Sequence, residues 1–295
     1  MVIRYGQMIK KTVNTVAITG AGSGLGLNLA IGFAKRGYKV FGTAISLMEI
    51  EAKKHEISGL DITFTVTDIT QEADVRKWSE IVVASIEDYG LDILINNAGV
   101  LTPGPMEVLE LDAIRKEFEV NVFGSISTIT AFLPLLRKAK GRILQIGSLT
   151  GPFPLPFSGP SSASKATMEA FADVYRLELK PQGIDFVMVQ PGNMRTGGPA
   201  KTAAQLKEIS DAMTNEQTQL YYHFDQFSSA LNEMQANGLD ADLAAQKIIE
   251  ISRQIPAPIR ATVGQDAEEI LQMVKEKTDE ELDEFKIKLL KLNNK

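Results

Sequence analysis

The feature that most constrains this fold is a glycine-rich stretch near the N-terminus, Thr19-Gly20-Ala21-Gly22-Ser23-Gly24-Leu25-Gly26. The apolar, β-prone run Val16-Ala17-Ile18 precedes it, and an apolar pattern with helical spacing follows over 25–33. The sequence therefore predicts a strand that ends in a tight turn and continues as a helix. Such a helix start presents unpaired N–H groups and a positive dipole end, which predicts an anion site suited to a pyrophosphate.

The spacing of the glycines narrows the kind of nucleotide site. The fingerprint G-x-G-x-x-G would need glycine in place of Leu25, whereas T-G-x-x-x-G-x-G fits the stretch completely. We expect Gly20 to permit the turn, Gly24 to let the backbone approach a ligand and Gly26 to let the helix pack close to the strand. An ordinary strand-to-helix turn can carry similar glycines, so the rest of the chain must decide.

Length and composition limit the class of protein. The chain has 295 residues, 44% of them hydrophobic, and we expect one large α/β domain rather than two small ones. It contains no cysteine, which excludes disulfides, thiolate metal sites and a cysteine nucleophile. Its only histidines, His55 and His223, cannot form a three-histidine site, and we expect no bound metal.

Charge and hydropathy exclude several partners. The formal net charge is −6, and no basic patch is dense enough for a nucleic-acid groove. No run approaches the ~18 apolar residues that a membrane helix needs, and residues 1–11 lack the apolar segment of a secretory signal. We therefore expect a soluble, cytoplasmic protein that binds neither nucleic acid nor membrane.

The remaining chain alternates between apolar, strand-like runs and helical patterns. After the first strand, strands are predicted at Tyr38–Gly42, Ile62–Val66, Leu91–Ile95, Arg142–Ile146 and Asp185–Val189. Between them, helices are predicted at about Val75–Tyr89, Leu111–Lys138 and Ser162–Leu179. This alternation predicts a three-layer α/β/α fold with a Rossmann-like, doubly wound parallel sheet. Polar clusters follow several strands, at the edge where such sheets hold their ligand.

The loop after the second strand bears on the choice of cofactor. An NAD-selective site is expected to carry Asp or Glu there and an NADP-selective site Arg, but the loop reads Thr43-Ala44-Ile45-Ser46. The absence of a carboxylate that would repel a 2′-phosphate favours NADP over NAD. The loop also lacks an arginine that would bind the 2′-phosphate, so it is also possible that this loop recognises neither NAD nor NADP.

Six ordered motifs together resemble the short-chain dehydrogenase/reductase family. They are Thr19-Gly20…Gly24-Leu25-Gly26, Asp68, Asn96-Asn97-Ala98-Gly99, Asn121 with Ser148, Ser164-Lys165-Ala166 and Pro191-Gly192…Thr196. The similarity extends from about Thr12 to Thr196 and returns more weakly over Arg260–Ala267.

The resemblance implies an NAD(P)-dependent oxidoreductase that reduces a carbonyl or oxidises an alcohol on a fairly apolar small molecule. It implies one domain, with a cofactor-binding and catalytic core over 12–196, a helical substrate lid over 197–250, and a last strand with C-terminal helices over 251–295. It also implies a homodimer or homotetramer formed through the long fourth and fifth helices of that fold.

The resemblance further implies roles for individual residues. Its cofactor-binding positions are Gly20, Ser23, Gly24, Leu25 and Gly26 at the pyrophosphate, Asp68 and Ile69 at the adenine, Asn97, Ala98 and Gly99 on the adenosine side, and Pro191, Gly192, Met194 and Thr196, of which the last two meet the carboxamide. Lys165 would hold the nicotinamide ribose, Ser148 the substrate carbonyl, and Asn121 a water that relays protons to Lys165.

One position departs from the family pattern. The family's proton donor is a tyrosine four residues before the lysine, on the same helix face, and here that position is Ser161. A phenol has a pKa of ~10, which a nearby ammonium can lower toward neutrality, whereas an alkyl hydroxyl is a much weaker acid. Serine is also shorter by a whole ring. Since a positioned general acid contributes ~10²–10⁴-fold, the usual reduction should be impaired.

Three interpretations follow from Ser161. The chain is a reductase in which water or another residue donates the proton, with Tyr221, Tyr222 and His223 as candidates. Alternatively, the fold serves a non-redox reaction or nucleotide binding, which Ile45 slightly favours. Thirdly, the serine silences an otherwise working enzyme by design. We favour the reductase, because Asn121, Ser148 and Lys165 are all retained.

The last third of the chain is less regular. Aromatic and methionine residues are spread over about 197–237, where the family places its substrate cover, and they suit a bulky apolar substrate or simple packing. Further on, Thr278 and Glu281 have the spacing of a capping box at the start of a C-terminal helix.

Overall fold

A computed structural model gives the fold for residues 13–86, 89–196 and 198–292, with no side-chain description at 198–201. The segment 1–12, in which the sequence lacks a signal-like apolar run, lies outside these ranges. So does part of the predicted end of the Val75–Tyr89 helix, at 87–88.

Within the described ranges, seven parallel strands form one sheet, in the order β3-β2-β1-β4-β5-β6-β9, and two short strands pair separately as β7-β8. The strands are β1 (Thr15–Ile18), β2 (Lys39–Ala44), β3 (Ile62–Val66), β4 (Ile93–Asn96), β5 (Arg142–Ile146), β6 (Asp185–Pro191), β7 (Met194–Arg195), β8 (Leu239–Asp240) and β9 (Arg260–Val263). The predicted Rossmann-like sheet is confirmed. The strand order reverses between β1 and β4, and ligands of such sheets bind at that reversal.

Helices connect the strands and cover the sheet. They are α1 (Gly24–Ala34), α2 (Leu47–Glu51), α3 (Glu72–Ile86), α4 (Leu111–Phe118), α5 (Ser125–Ala139), α6 (Gly159–Leu179), α7 (Gly198–Ala212), α8 (Asn215–Leu220), α9 (Phe224–Ala236), α10 (Ala241–Arg253), α11 (Gln265–Glu276) and α12 (Asp279–Leu289). A π-helical stretch, Glu119–Gly124, joins α4 to α5, and a 3₁₀ turn, Lys180–Gln182, follows α6.

The apolar core lies on both faces of the sheet. On one face, α1 and α10 pack through buried residues such as Phe33 and Ile248. On the other, α3, α5 and α6 contribute Trp78, Phe132 and Met168, all fully buried. On each side of the sheet, the apolar surfaces of the helices and of the strands are therefore buried against each other. This burial of apolar surface is the main stabilising contribution in such a layered fold.

The helix predicted over Leu111–Lys138 differs from the expectation in one respect. It is interrupted by the π-helical stretch, which carries Asn121, whereas the sequence pattern predicts one uninterrupted α-helix. Among the described residues, Leu111–Ala139 is also the stretch long and apolar enough to cross a membrane by length and composition. Half of its most apolar window is buried, and Ile129 and Phe132 pack in the core, so it is accounted for as a core helix.

The C-terminal third divides into two parts. Helices α7 and α9 form a separate apolar cluster, which we call the lid cluster, of Leu206, Phe224, Phe227, Ala230 and Leu231, closed by Leu290 from the end of α12. In contrast, α10, which begins inside the range 197–250 that the sequence assigned to the lid, packs on α1 in the main core. The capping box of Thr278 and Glu281 is present at the start of α12, as predicted.

Candidate active site and cofactor groove

The glycine stretch forms a close contact between α1 and the turn that precedes it. A Cβ at Gly26 would overlap the Gly20 carbonyl oxygen and lie 2.6 Å from Nδ2 of Asn97. That Asn97 nitrogen donates hydrogen bonds to the carbonyls of Thr19 at 3.0 Å and Gly20 at 3.1 Å. Only glycine therefore fits at position 26. The hydrogen bonds of Asn97 connect the end of β4 to the turn after β1.

A cavity of about 840 Å³ opens at this edge of the sheet. Its lining brings together most residues predicted to hold the adenosine and pyrophosphate: Gly20, Ser23, Leu25, Gly26, Asp68, Ile69, Asn97, Ala98 and Gly99. Gly24 does not line it, but a Cβ there would lie 3.8 Å from the side chain of Thr196, across the groove. A glycine cradle at a helix start, beside a cavity of this size, fits a dinucleotide.

Glu49 in this groove is a residue that the sequence analysis missed. It lines the cavity beside Ile45, whose backbone N–H donates to Glu49 Oε2 at 3.2 Å. The carboxylate also covers Gly22, where a Cβ would lie 2.6 Å from Glu49 Cδ. The signal was present, because Ser46-x-x-Glu49 has the spacing of a capping box, and Glu49 N donates to Ser46 Oγ at 3.2 Å.

A second cavity, of about 540 Å³, continues from the first and shares Leu25, Asn97 and Gly99 with it. Its lining brings together the predicted residues of the nicotinamide end and the reaction centre: Ser148, Ser161, Lys165, Pro191, Gly192, Met194 and Thr196. Residues from α7 and α9, including Gln205 and Leu231, close it from the other side. The predicted polar positions thus meet at one end of the nucleotide groove.

Lys165 lies on α6 and is held at the floor of this second cavity. Its Nζ donates to the Ile146 carbonyl at the end of β5, at 3.0 Å. Burial lowers the pKa of Lys165 to about 8, and the negative charge of Glu117 opposes this shift. The ammonium form is therefore retained near neutral pH, while the proton is more easily lost than from an exposed lysine.

Asn121 lies behind the cavity rather than in its lining, and its side chain is 2% exposed. Its Oδ1 accepts from Val100 N at 2.9 Å, and its Nδ2 donates to the Val100 carbonyl at 3.0 Å and to Ser164 Oγ at 3.0 Å. The π-helical turn gives Asn121 this reach, since such turns displace side chains from regular helical positions and are frequent at functional sites. Asn121 thereby joins α4, α6 and the loop after β4.

Glu117, one helical turn before Asn121, is a second residue that the sequence analysis missed. Its side chain is fully buried. Oε2 accepts from Thr102 N at 2.7 Å, and Oε1 accepts from Asn121 Nδ2 at 3.2 Å. The i, i+4 spacing from Asn121 was the available signal, because it places the carboxyl on the same helix face as a predicted site residue.

Comparison with known proteins decides the family. The sequence profile described as short chain dehydrogenase matches residues 14–207, two thirds of the chain. The chain belongs to the short-chain dehydrogenase family. This short-chain dehydrogenase is accordingly an NAD(P)-dependent oxidoreductase that acts on small molecules.

Individual relatives support the assignment over nearly the whole chain. The 3-amino-tetrahydro-pyrrolizinone reductase of Xenorhabdus hominickii is 30% identical over 279 residues, which cover 93% of this chain and 95% of the relative. The NADPH-dependent 3-dehydrocapnine reductase of Ornithobacterium rhinotracheale is 32% identical over 240 residues, covering 79% and 82%. A short-chain dehydrogenase structure from Streptomyces avermitilis has a TM-score of 0.75 at 22% identity, covering 94% and 97%, and shares the fold.

The dehydrogenase has Ser161 where its family motif has tyrosine, and the structure shows what surrounds it. Ser161 lines the second cavity with Ser148 and Lys165. Ser148 Oγ accepts from the Thr150 hydroxyl at 2.9 Å, which leaves the Ser148 proton able to point at a substrate oxygen. Of the predicted catalytic residues, Ser148, Ser161 and Lys165 thus line one cavity, and the phenol of the family motif is absent.

The three alternative proton donors do not reach this centre. None of Tyr221, Tyr222 and His223 lines either cavity, within the lining residues that the structure describes. The Tyr221 hydroxyl donates to Glu107 Oε2 at 2.6 Å, and this hydrogen bond raises the Tyr221 pKa. The rings of Tyr222 and His223 lie against each other at 3.8 Å. In this dehydrogenase Tyr221 packs against the lid cluster, whereas Tyr222 is 47% exposed.

Proposed function

We propose that the protein is an NADPH-dependent carbonyl reductase, or the corresponding alcohol dehydrogenase, for a fairly apolar small molecule. The observation that carries the proposal is the continuity of the two cavities, which places Ser148, Ser161 and Lys165 at the end of a groove shaped for a dinucleotide. A bound nicotinamide supplies the hydride, and the chain's own residues bind, orient and handle the proton.

The residues divide this work by position. Ser148 donates a hydrogen bond to the substrate oxygen and fixes the carbonyl. Lys165 holds the ribose next to the nicotinamide, and its charge stabilises negative charge that develops on the substrate oxygen. Asn121, held by Val100 and Ser164, keeps the loop after β4 in place and connects the centre to buried polar groups.

The second cavity supports a compact, mainly apolar substrate. Apolar side chains in its lining include Val100, Leu101, Leu149, Leu155 and Leu231. Helices α7 and α9 add three polar side chains, Thr202, Gln205 and Gln235. We propose that α7 to α9 act as the substrate lid of a single domain. The lid cluster would then position these helices over the substrate.

For the cofactor, we propose NADP over NAD. The absence of Asp or Glu at 43–46 and the NADPH-dependent relative support this preference. Glu49 acts against it, because its carboxylate lines the groove beside Ile45 and would lie near a 2′-phosphate. We therefore expect a real but limited preference for NADPH.

Titration of NADPH and NADH, followed by cofactor fluorescence, should show tighter binding of NADPH. Glu49→Gln should widen the preference by about fivefold, since a carboxylate a few ångströms from a phosphate in water costs roughly 1 kcal/mol. Glu51→Gln, on the exposed side of the same short helix, is the matched control and should leave the ratio unchanged. Equal binding, or absence of binding, of both cofactors would remove the NADP proposal.

A second candidate function is favoured by one observation, the missing phenol at Ser161. In this alternative, the groove holds a nucleotide for a non-redox reaction or for binding alone. It predicts tight cofactor binding without NADPH oxidation in the presence of any carbonyl compound. The reductase predicts slow but measurable oxidation, which stops when Lys165 is replaced by methionine.

We further propose a homodimer or homotetramer formed through the helical stretch around Phe123 and through α6. Apolar side chains of α6 face solvent at helical spacing, with Val174 50% and Leu177 61% exposed, and Phe123 is 55% exposed. Contiguous exposed apolar residues mark interaction surfaces.

Leu177→Glu should convert the oligomer to a monomer, as measured by light scattering coupled to size-exclusion chromatography, because it places a charge in an apolar interface. Leu243→Glu changes another exposed leucine, on α10, and should leave the mass unchanged. A wild-type protein that is monomeric at micromolar concentration would contradict this proposal.

A further inference from the structure

The wall of the second cavity contains a buried polar atom that the proposed reaction does not use. The side-chain oxygen of Gln235, on α9, is buried and has no hydrogen-bond partner among the described residues. Buried polar atoms are normally paired, because an unpaired acceptor has lost its bonds to water and gained none in return. A ligand that donates to this oxygen would supply the missing bond.

Gln235 is placed where a substrate can do so. It lines the second cavity together with Leu231, which lies four residues earlier on the same face of α9. The last torsion of a glutamine side chain is soft, so the amide can turn its oxygen or its nitrogen toward a ligand in the cavity. The amide can therefore accept a hydrogen bond from a substrate group or donate one to it.

The charge of the cavity limits which polar group fits beside Gln235. Among the described residues that line the cavity, Lys165 is the only charged one, and its ammonium donates to the Ile146 carbonyl at 3.0 Å. A carboxylate or an ammonium group beside Gln235 would leave water without an opposite charge to pair with, which is costly. A neutral polar group loses much less and gains the hydrogen bond to the amide.

A second amide lies on the other helix that closes the cavity. Gln205, on α7, also lines the cavity, and the residue is exposed. Because water competes for an exposed amide, we expect Gln205 to contribute less to substrate selection than Gln235. The lining also includes Leu149 and Leu155, which suit an apolar substrate body.

We propose that Gln235 selects carbonyl compounds that have an apolar body and, remote from the carbonyl, an uncharged hydrogen-bonding group such as a hydroxyl or an amide. The inference rests on the reductase function proposed above and narrows its substrate class. Gln235 binds the remote group and does not touch the reacting atoms, so it is a specificity residue. Its effect falls on substrate binding, because this hydrogen bond is the same in the ground state and in the transition state.

A series of straight-chain ketones tests the substrate class. Each has its carbonyl near one end and carries at the other end an alkyl, hydroxyl, primary amide, carboxylate or ammonium group, and the chain length is varied to find the span to Gln235. With NADPH and the best length, kcat/KM for the hydroxyl or amide ketone should exceed that of the alkyl ketone and of both charged ketones by about three- to tenfold, the effect of one net hydrogen bond. Equal values for hydroxyl and alkyl ketones at every length, or a preference for a charged ketone, would overturn the proposal.

Gln235→Met keeps the length of the side chain and removes the amide. For the hydroxyl ketone, KM should rise by about three- to tenfold while kcat changes by less than about twofold. For the alkyl ketone, neither constant should change. A variant that still ranks the end groups as the wild type does would show that Gln235 is not the selecting residue.

Asn232→Leu is the matched control for this variant. Asn232 is on the same helix and also has a buried side-chain oxygen without a partner, but it is not among the described lining residues of either cavity. Its replacement should leave the ranking of the ketones unchanged. Because both changes remove an acceptor that has no partner, both variants should fold.

Gln235→Glu tests whether the charge at this position is coupled to the charge of the substrate. The carboxylate supplies the opposite charge that an ammonium ketone lacks in the wild type, so kcat/KM for that ketone should rise by about tenfold relative to the hydroxyl ketone. Gln205→Glu, at the exposed position, should give a smaller rise. A purely structural role of Gln235 predicts no such coupling, and its absence would contradict the proposal.

Binding without turnover separates substrate selection from the reductase function. The same ketones are titrated calorimetrically into the protein saturated with NADP⁺, which has no hydride to transfer. We expect the ranking found in the kinetics, and its loss in Gln235→Met. If the ranking is present but no ketone is reduced by the wild type or by Ser161→Tyr, the reductase function fails and selection by Gln235 holds. If ketones are reduced but bind without ranking, selection by Gln235 fails and the reductase function holds.

Discussion

Ser161→Tyr is expected to raise kcat for carbonyl reduction by at least about tenfold, within the range that a positioned general acid provides. The variant restores a phenol four residues before Lys165, on the same face of α6. Lys165 retains its ammonium form near neutral pH, since its pKa is lowered only to about 8. That charge lowers the pKa of a nearby phenol and makes it a usable acid.

The control for this variant separates chemistry from shape. Ser161→Phe adds the same ring without the hydroxyl and should not raise the rate, because it fills the cavity but donates no proton. Both variants should be assayed by NADPH oxidation against a broad panel of aldehydes and ketones. A tyrosine variant that gains nothing over the phenylalanine variant on any carbonyl would favour the non-redox use of the groove.

Gly26→Ala is expected to lower the affinity for NADPH by more than about tenfold and to cost about 1–3 kcal/mol of unfolding free energy, as overpacking does. A Cβ at this position overlaps the Gly20 carbonyl oxygen. Because that oxygen belongs to the backbone, this overlap can be relieved only by separating α1 from the turn. That separation disturbs the cradle of the pyrophosphate. In an unconstrained helix the same change would stabilise by roughly 0.5–1 kcal/mol, which makes the sign of the effect informative.

Gly22→Ala is the matched control within the same stretch. Its Cβ would meet the end of the Glu49 side chain, which can rotate away. We expect a change in stability below about 1 kcal/mol and retention of cofactor binding. Calorimetry and fluorescence titration measure both quantities. If Gly26→Ala binds NADPH like the wild type, the assignment of the pyrophosphate to this turn is wrong.

Local patterns were sufficient to predict the architecture because the sheet is buried on both faces. The strands Ile62–Val66 and Arg142–Ile146 have the predicted bounds. In Arg142–Ile146, whose last four residues are buried, an apolar run between turn signals leaves little choice of bounds. Parallel strands place their carboxyl ends at one edge, and this brought Ser148, Lys165 and Thr196 into one cavity. Their chemical roles remain predictions that the variants above address.

What the sequence did not reveal depends on tertiary contacts. The π-helical turn has no local signal, because Asn121 is displaced by bonds to Val100 and Ser164 that come from elsewhere in the chain. Glutamate on a helix usually faces solvent, so the sequence gives no sign that Glu117 is buried. Its burial follows from the packing of the fold. Glu49 lies outside the loop at 43–46 in sequence and reaches it through the first turn of α2.

The closure of the lid cluster by Leu290 matters for protein engineering. Leu290 is fully buried among Leu206, Phe224 and Phe227, and the neighbouring Lys291 pairs with Glu233 of α9 at 3.2 Å. A graft that exchanges only α7 to α9 to change substrate choice would pack the donor's helices against the recipient's Leu290, to which their side chains are not fitted. Such chimaeras should therefore take both segments from the same parent.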